Sequence, residues 1–574
     1  MQNTVDRKRF FLAMMISGAI LLLWQIFLAP EPPVSKNKQT AENQVEAGQE
    51  GAAIKSADPA DKAAPKKVAA ADSEVVDDQA PVQARDIPTR EDVLGGEHLK
   101  VGVTNKEAVV TSVRILKPSQ YAGTGPEDKP GDLVGFPEGA PQYPFGISFL
   151  GKGVELPDST VFEVVESASE KSTEGVYSKI VYRHEDPRGR FTIDKSYTVD
   201  SKLPYIVNMD VAITNTSSQG RLDDTMALDI LRWNDPDAES SFLDFQPIQT
   251  EGVCKTTDDI ERETYSTLNK DGPVAFGEFQ TIWGGVDTRY FMLAAIPGEM
   301  VDNCEFSVVH KDYVRTRLTG APFSVEPGKT VTFSNQLFMG PKDVDVLGEV
   351  RPDLTESVDY GIFAFVARPM RWSLNQLFGL VGNWGLAIIL LTFIIRALLW
   401  PVNMKAYSSM ERMKAVQPLL AEIKEKYKDD KQRQTEETMK AFKKHNVSPA
   451  GGCLPMILQM PVLYGLYVCI YNSVDLYNAN FVLWYTDLAS PDPYYALPIL
   501  MGVAMFFQQR LSSVDTSNKQ AAMMMKIMPV MFTAFMLFLP SGLVLYYALS
   551  LLIGVAQQYF IRKKFEGEPE LTLD

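Results

Sequence analysis

A chain of 574 residues is too long for one ordinary domain of ~100 to 200 residues, so several modules are expected. Its formal charge of −16 argues against a sequence-specific nucleic-acid binder, whose domains are usually basic, and four Cys with four His at no CxxC or HxxxH spacing exclude a structural zinc framework. The mean hydropathy of −0.09 hides segregation, because the apolar residues concentrate at the start of the chain and after about residue 380.

The chain opens with Arg7, Lys8 and Arg9 ahead of an apolar run over residues 10–29, long enough at ~20 residues to cross a bilayer. A cleaved signal peptide would have a shorter apolar region ending at small residues. This run ends in Leu28-Ala29-Pro30, which favours an uncleaved signal anchor over residues 1–29. Residues 30–90 are rich in Ala, Pro, Lys, Glu and Asp with almost no aromatics, a composition that cannot bury enough surface to fold, and they read as a tether. Between residues 99 and 347 short alternating segments such as 191–199 and 205–213 are separated by Gly, Pro, Asn and Asp clusters. They predict an antiparallel β-sandwich domain over residues 91–355. Cys254 and Cys304 fall in this domain and are available to pair, whereas Cys453 and Cys469 stand ~24 Å apart along one predicted helix and cannot bridge.

Five further apolar segments, 384–400, 454–471, 494–507, 527–539 and 542–561, bring the expected spans to six. Eleven Lys or Arg lie between residues 405 and 444, Arg510, Lys519 and Lys526 follow the fourth span, and Arg562, Lys563 and Lys564 follow the last. The loop over 472–495 and the turn over 540–542 carry none. Alternating orientation puts every basic loop on the side of Arg7 to Arg9, so both termini are expected in the cytoplasm and residues 30 to about 380 outside. Within 404–447, Met404, Tyr407, Met410, Met413, Val416, Leu420, Ile423 and Tyr427 recur at three- and four-residue steps, Asp429-Asp430 breaks the run, and a second helix carries Met439 and Phe442. The spacing predicts a charged cytoplasmic hairpin with an apolar stripe suited to an adaptable partner; a solvated linker is the plainer alternative.

No catalytic, cofactor-binding or metal constellation stands out, so an enzyme is not expected. Gly328-Lys329-Thr330 resembles the end of a phosphate-binding loop, but Phe323 stands where the motif needs Gly. His98, His184, His310 and His445 are scattered without a nucleophile motif. The informative residues are polar ones inside the spans. An ionisable Arg396 costs at least ~2.5 to 3.5 kcal/mol at the centre of a lipid-embedded helix, so it either faces a cavity or partner, with Thr392 on the same face, or snorkels to a nearby cytoplasmic end. Tyr547, Ser550, Gly554 and Gln558 recur at steps of three and four on one face, while Gln459 and Gln508 add hydrogen-bonding capacity on other spans. Each is explained singly as polar glue between helices. Together, Arg396, Thr392, Gln459, Gln508, Tyr547, Ser550 and Gln558 indicate a wet interior and are the candidate site residues.

Four motifs carry a family resemblance: Gly382-Asn383-Trp384-Gly385 leading to Arg396, Pro449-Ala450-Gly451-Gly452-Cys453-Leu454-Pro455 followed by Gln459-Met460-Pro461, Asp492-Pro493-Tyr494-Tyr495, and Pro540-Ser541-Gly542-Leu543-Val544-Leu545-Tyr546-Tyr547. In this order, over about residues 360 to 564, the chain resembles the YidC family of membrane protein insertases of Gram-negative bacteria. The resemblance implies a polytopic α-helical membrane protein with six transmembrane helices and a large extracytoplasmic β-sandwich, a β-supersandwich, in the periplasm. It also implies an interfacial amphipathic helix over 356–380, which Phe363, Phe365 and Trp372 fit, and a five-helix core over 381–564 whose groove opens to cytoplasm and lipid with Arg396 in the family's arginine position. The implied work is insertion and chaperoning of membrane proteins at the bacterial inner membrane, without a cofactor. The implied partners are nascent membrane proteins, ribosome-nascent chain complexes, the Sec translocon, the signal recognition particle and its receptor, and membrane lipids. The chain departs from members with a long basic ribosome-binding tail, since 565–574 is short and acidic. Two rivals stand beside this reading: a transporter, which would need a path through both leaflets and an internal repeat, and a membrane-anchored carbohydrate-active enzyme, which would need paired carboxylates in a cleft.

Overall fold

The computed structural model describes residues 87–118, 132–136, 140–168, 176–234, 250–277, 280–445, 454–511 and 519–565. The expected N-terminal span, nearly all of the tether, the motif from Pro449 to Cys453 and the acidic tail beyond Phe565 lie outside these residues.

Residues with a two-residue apolar period form the sheets. Along Phe191–Val199 the side chains of Phe191, Ile193, Lys195 and Tyr197 are buried while those between them are half-buried. This strand pairs antiparallel with Ile206–Asn215, from Phe191 opposite Asn215 to Val199 opposite Val207. Both belong to a nine-stranded sheet in which Thr330–Pro341 joins Ile206–Asn215 to Phe291–Pro297. A five-stranded sheet centred on Tyr313–Thr319 packs on it. The two sheets touch closely at Gly252, where a Cβ would lie 2.6 Å from the Phe306 ring, so only glycine fits. Thr316 Oγ1 donates across the gap to the Gly285 carbonyl at 2.6 Å, and Cys254 and Cys304 form a disulfide between the sheets with Cα atoms 6.7 Å apart. Lys195 occupies an inward position that period two would give to an apolar residue. Its ammonium donates to the Phe145 carbonyl at 2.6 Å, and burial pushes its pKa down to about 7.

A short helix, α1 (Tyr265–Asp271), is capped by Thr264, whose hydroxyl accepts from the Thr267 N–H. A second, α2 (Val344–Val350), leads out of the β region through 3-10 turns at Pro352–Ser357 and Gly361–Phe363. Asp287, fully buried, anchors this exit by accepting from Lys342 Nζ at 2.6 Å and Arg262 Nη1 at 3.1 Å. The next helix, α3 (Ala364–Val381), buries Ala367, Met370, Arg371 and Leu374 and exposes Phe365, Trp372 and Leu380. It stops at Gly382, whose φ of 66° is the left-handed conformation that glycine adopts at helix ends.

The remaining helices are α4 (Trp384–Lys426), α5 (Lys431–Lys444), α6 (Leu454–Asn472), α7 (Ala496–Leu511), α8 (Lys519–Met536) and α9 (Ser541–Phe565). Where the sequence reading ends one element at Trp400 and begins a hairpin at Met404, the chain makes a single helix of 43 residues that continues through Pro401 and Pro418. Proline removes one backbone donor, but the neighbouring hydrogen bonds and packing against α9 keep the helix going. Val416, Leu419, Ile423 and Ala441 form a small core between α4 and α5, flanked by Met413, Leu420, Tyr427 and Phe442. Among the described residues α4 and the stretch Ser541–Lys564 are long and apolar enough to cross a membrane, while Ala496–Leu511 and Ile527–Met536 are shorter apolar helices.

The β region sits on one end of the helices. Arg289 stacks 3.8 Å over the Tyr471 ring and donates to the Tyr471 hydroxyl, Tyr290 and Phe291 pack on Tyr477, and Asn472 donates to the Asp359 carbonyl at 2.6 Å.

Candidate functional site

Asn383 starts α4 by accepting from the Leu386 N–H at 3.0 Å, which fixes the rotation of the helix and so the face that Arg396 presents. Four- and seven-residue steps then carry a polar stripe of Thr392, Arg396, Asn403, Tyr407 and Glu411, all buried, along ~29 Å of the helix. The facing helix α9 contributes Tyr546, Ser550, Gly554, Gln557 and Gln558, with Tyr547 half-buried beside them.

The two stripes meet at Arg396. Only 9% of this residue is exposed, and its Nε donates to Ser550 Oγ at 2.7 Å. A Cβ built on Gly554 would lie 3.6 Å from both terminal nitrogens of Arg396 and 3.3 Å from the Tyr407 hydroxyl, so the missing side chain leaves room beside the guanidinium. Gln459 on α6 donates through Nε2 to the Tyr546 hydroxyl at 2.7 Å and brings a third helix to the site. Thr392 is buried one turn away, but its hydroxyl donates to the Ile388 carbonyl of its own helix. Gln508 is half-buried on α7.

Polar atoms without a protein partner continue the stripe. Asn403 Nδ2 and both polar atoms of Gln557, which is 2% exposed, find none among the described residues. A buried polar group left unpaired costs ~1 to 3 kcal/mol, so the arrangement suits water or a polar guest between α4 and α9. α4 continues past Trp400, and the Arg396 side chain is directed sideways onto Ser550 of α9. The sequence reading missed Asn403, Glu411 and Gln557. Asn403 and Glu411 lie beyond Trp400, where polar residues no longer stand out from their neighbours, and Gln557 lies beside Gln558 but off the stripe that singled Gln558 out.

One end of the helical bundle is closed. A Cβ at Gly385 would come 2.1 Å from the Phe481 ring, and Asn383 Nδ2 donates to the Asn480 carbonyl at 3.3 Å. The Ser541 and Gly542 N–H groups donate to the Ser490 and Leu488 carbonyls at 2.8 and 3.0 Å, which ties the start of α9 to the same loop. Asp492 gathers that loop by accepting from Trp484 Nε1 and the Tyr485 hydroxyl. Toward the other end Lys414 Nζ donates to Glu411 at 2.7 Å and to the Leu511 carbonyl at 2.8 Å, joining α4 to the end of α7.

A β domain is seated on the closed end of a helical bundle that is polar within and has, among the described residues, two helices long and apolar enough to cross a membrane. Residues 97–373 match the family described as the YidC periplasmic domain, and residues 376–568 match the 60Kd inner membrane protein family. The chain is 33% identical over 565 residues to a membrane protein insertase YidC of Syntrophus aciditrophicus (strain SB), covering 97% of this chain and 99% of that one. It is 34% identical over 417 residues to the protein of the same name from Geotalea daltonii, covering 72% and 76% of the two chains. Among solved structures it is similar to an active YidC insertase crystal structure, at 19% identity over 84% of this chain and 94% of that chain, with a TM-score of 0.36. The chain belongs to the YidC family of membrane protein insertases, and its family places it in the inner membrane.

Proposed function

We propose that this chain inserts membrane proteins by receiving their segments in the groove around Arg396. A nascent span enters from the cytoplasm, its polar outer part is solvated by Arg396, Ser550, Asn403 and Gln557, and the span then passes sideways into lipid. No covalent bond is made or broken. The observation that carries this reading is the buried Arg396–Ser550 pair beside Asn403 Nδ2 and the Gln557 amide, which have no partner among the described residues. Thr392, Gln459, Tyr547 and Gln558 line or brace the same space, and Gln508 joins it from α7.

In this reading the chain crosses the membrane six times, with the N-terminal span, α4, α6, α7, α8 and α9, and both termini face the cytoplasm. The basic residues in the last turns of α7 and α9 support that orientation. The α4–α5 hairpin receives incoming chains from ribosomes or from the signal recognition particle and its receptor, and the groove works alone or beside the Sec translocon.

Photocrosslinkers placed at Asn403, Ser550 and Gln557, with Phe365 as an outward control, test this with a ribosome-bound nascent membrane protein. Adducts from the three groove positions and few from the control are expected. Equal labelling from all four overturns the groove as the route.

A further inference from the structure

A second cleft lies on the other side of α9. It has a volume of about 510 Å³ and is lined by Phe507 and Leu511 from α7 and by Leu552, Val555, Ala556 and Tyr559 from α9. Gly554 points into the groove, and residues two apart on a helix project ~200° apart, so Ala556 faces away from it. Phe507 is 55% exposed, Tyr559 56% and the adjacent Phe560 69%, which in water would be an apolar patch but in a bilayer is a lipid-facing wall.

The rim of this cleft is basic. Arg510 and Arg562 both line it, both are exposed, and neither enters an ion pair among the described residues. The Arg510 guanidinium lies 4.6 Å from the Phe506 ring centroid, which holds its charge beside the apolar wall. Two guanidinium groups at the mouth of an apolar cleft suit one ligand chemistry, a phosphate joined to acyl chains, because the planar forks bind phosphate oxygens in pairs while the aromatic wall takes the hydrocarbon. Basic pockets between membrane helices on the cytoplasmic side hold anionic lipid headgroups for this reason. A neutral or zwitterionic headgroup would leave the arginines without net opposite charge.

We infer that the cleft between α7 and α9 is a binding site for an anionic phospholipid, with its phosphate on Arg510 and Arg562 and an acyl chain along Phe507, Leu552, Val555 and Tyr559. The lipid braces the end of α7 against α9 from the outer side while the groove occupies the inner side. The placement at the cytoplasmic end rests on the orientation given under the proposed function; the site itself does not.

The test uses the full chain in liposomes with the same lipids in both leaflets and no client, so neither orientation nor insertion enters the result. Photoactivatable acyl-chain phosphatidylglycerol or phosphatidylcholine is added in trace, and labelled peptides are mapped by mass spectrometry. Phosphatidylglycerol should label the segments 507–511 and 552–560 in preference to phosphatidylcholine by on the order of 10-fold. Arg510→Gln with Arg562→Gln should bring the ratio near one, Arg510→Lys with Arg562→Lys should keep much of it, and Lys563→Gln with Lys564→Gln should leave it. Excess soluble glycerol phosphate should not compete. Equal labelling by the two lipids overturns the site, as does a preference that survives the double Gln change or is lost equally with Lys563 and Lys564. A preference seen only after removal of residues 566–574 also overturns it, since the tail would then be the occupant.

Discussion

Arg371 on α3 and Asp475 in the turn after α6 lie 3.3 Å apart, and the same guanidinium reaches Asp343 at 3.4 Å and Asp345 at 3.6 Å. One cation thus joins the exit of the β domain, α3 and the loop that closes the bundle. Burial first, and the Asp475 carboxylate second, push the Asp343 pKa up to about 6, against the Asp345 N–H and Arg371, which lower it. A carboxyl raised on folding binds a proton that the unfolded chain releases, so its stabilising contribution is full below ~3.9 and is lost as pH rises through 6. Asp343→Asn, always neutral, should therefore gain stability relative to the parent as pH rises from about 4 to about 6.5, with the gap level above that. Thermal unfolding of both full chains in detergent measures it; a gap that stays constant with pH would contradict the linkage.

Arg396 should act mainly by charge. Lysine keeps the charge but loses the fork, so Arg396→Lys should retain much of the insertion activity, while Arg396→Ala should lose ~10-fold or more for clients with acidic outer segments, about 1.4 kcal/mol. Insertion assays with matched acidic and neutral clients decide. Equal loss with Lys and Ala would favour recognition by paired hydrogen bonds.

Gly554 keeps the space beside Arg396 open. Ala at this position puts its Cβ at an ordinary 3.6 Å from Arg396 but a tight 3.3 Å from the Tyr407 hydroxyl, the end of a long side chain that needs to give by only a few tenths of an ångström, and it should insert clients nearly as well. Gly554→Leu should fill the groove and block insertion while the protein still accumulates in the membrane. Leu with unchanged insertion rates would show that clients do not pass there.

The α4–α5 hairpin rests on four buried residues, so one deletion of volume is felt. Ile423→Ala should cost the hairpin ~2 kcal/mol, loosening α5 without disturbing Arg396 some 40 Å away along α4. Limited proteolysis should cut within residues 427–445 faster, and insertion should fall in parallel. Faster cutting with normal insertion would reduce the hairpin to a linker.

Short helices beside the groove bear on the bilayer. α7 has 16 residues, ~24 Å, against a hydrocarbon core of ~30 Å. Local thinning would shorten the distance over which a client's polar segment is dragged through hydrocarbon. Lengthening α7 and the apolar part of α8 by one turn of Leu should slow insertion without unfolding the protein, and an unchanged rate, or ordinary bilayer thickness reported by depth-sensitive probes, would refute the idea.

What could be read in the sequence follows the range of the interaction. Phe191–Val199 announces itself as a strand because period two is local, but its place in a sheet with Thr330–Pro341 depends on contacts more than a hundred residues away. Cys254 and Cys304 could be named as available but not as joined, because their meeting needs both sheets in place. Arg396 and Ser550 were legible since polar groups in apolar runs are conspicuous, and they do meet. Asn403 and Glu411 were not, because they sit where α4 leaves its apolar stretch and a polar residue is ordinary; Gln557, inside the last apolar run, falls off the three- and four-residue stripe that singled out Gln558 beside it. The family was legible from short motifs at helix starts and turns, where Asn383 caps α4 and Ser541 binds the closing loop.

The unbroken run of α4 makes it a lever. Its wedged start, with Gly385 against Phe481, is a natural fulcrum, and Arg396 stands ~18 Å from it while Lys426 stands ~63 Å away. A tilt of ~5° about that point would sweep the hairpin end through ~5 Å but shift Arg396 by less than ~2 Å. A weak pull on the hairpin end would thus be geared down into a small, forceful displacement of the guanidinium against Ser550.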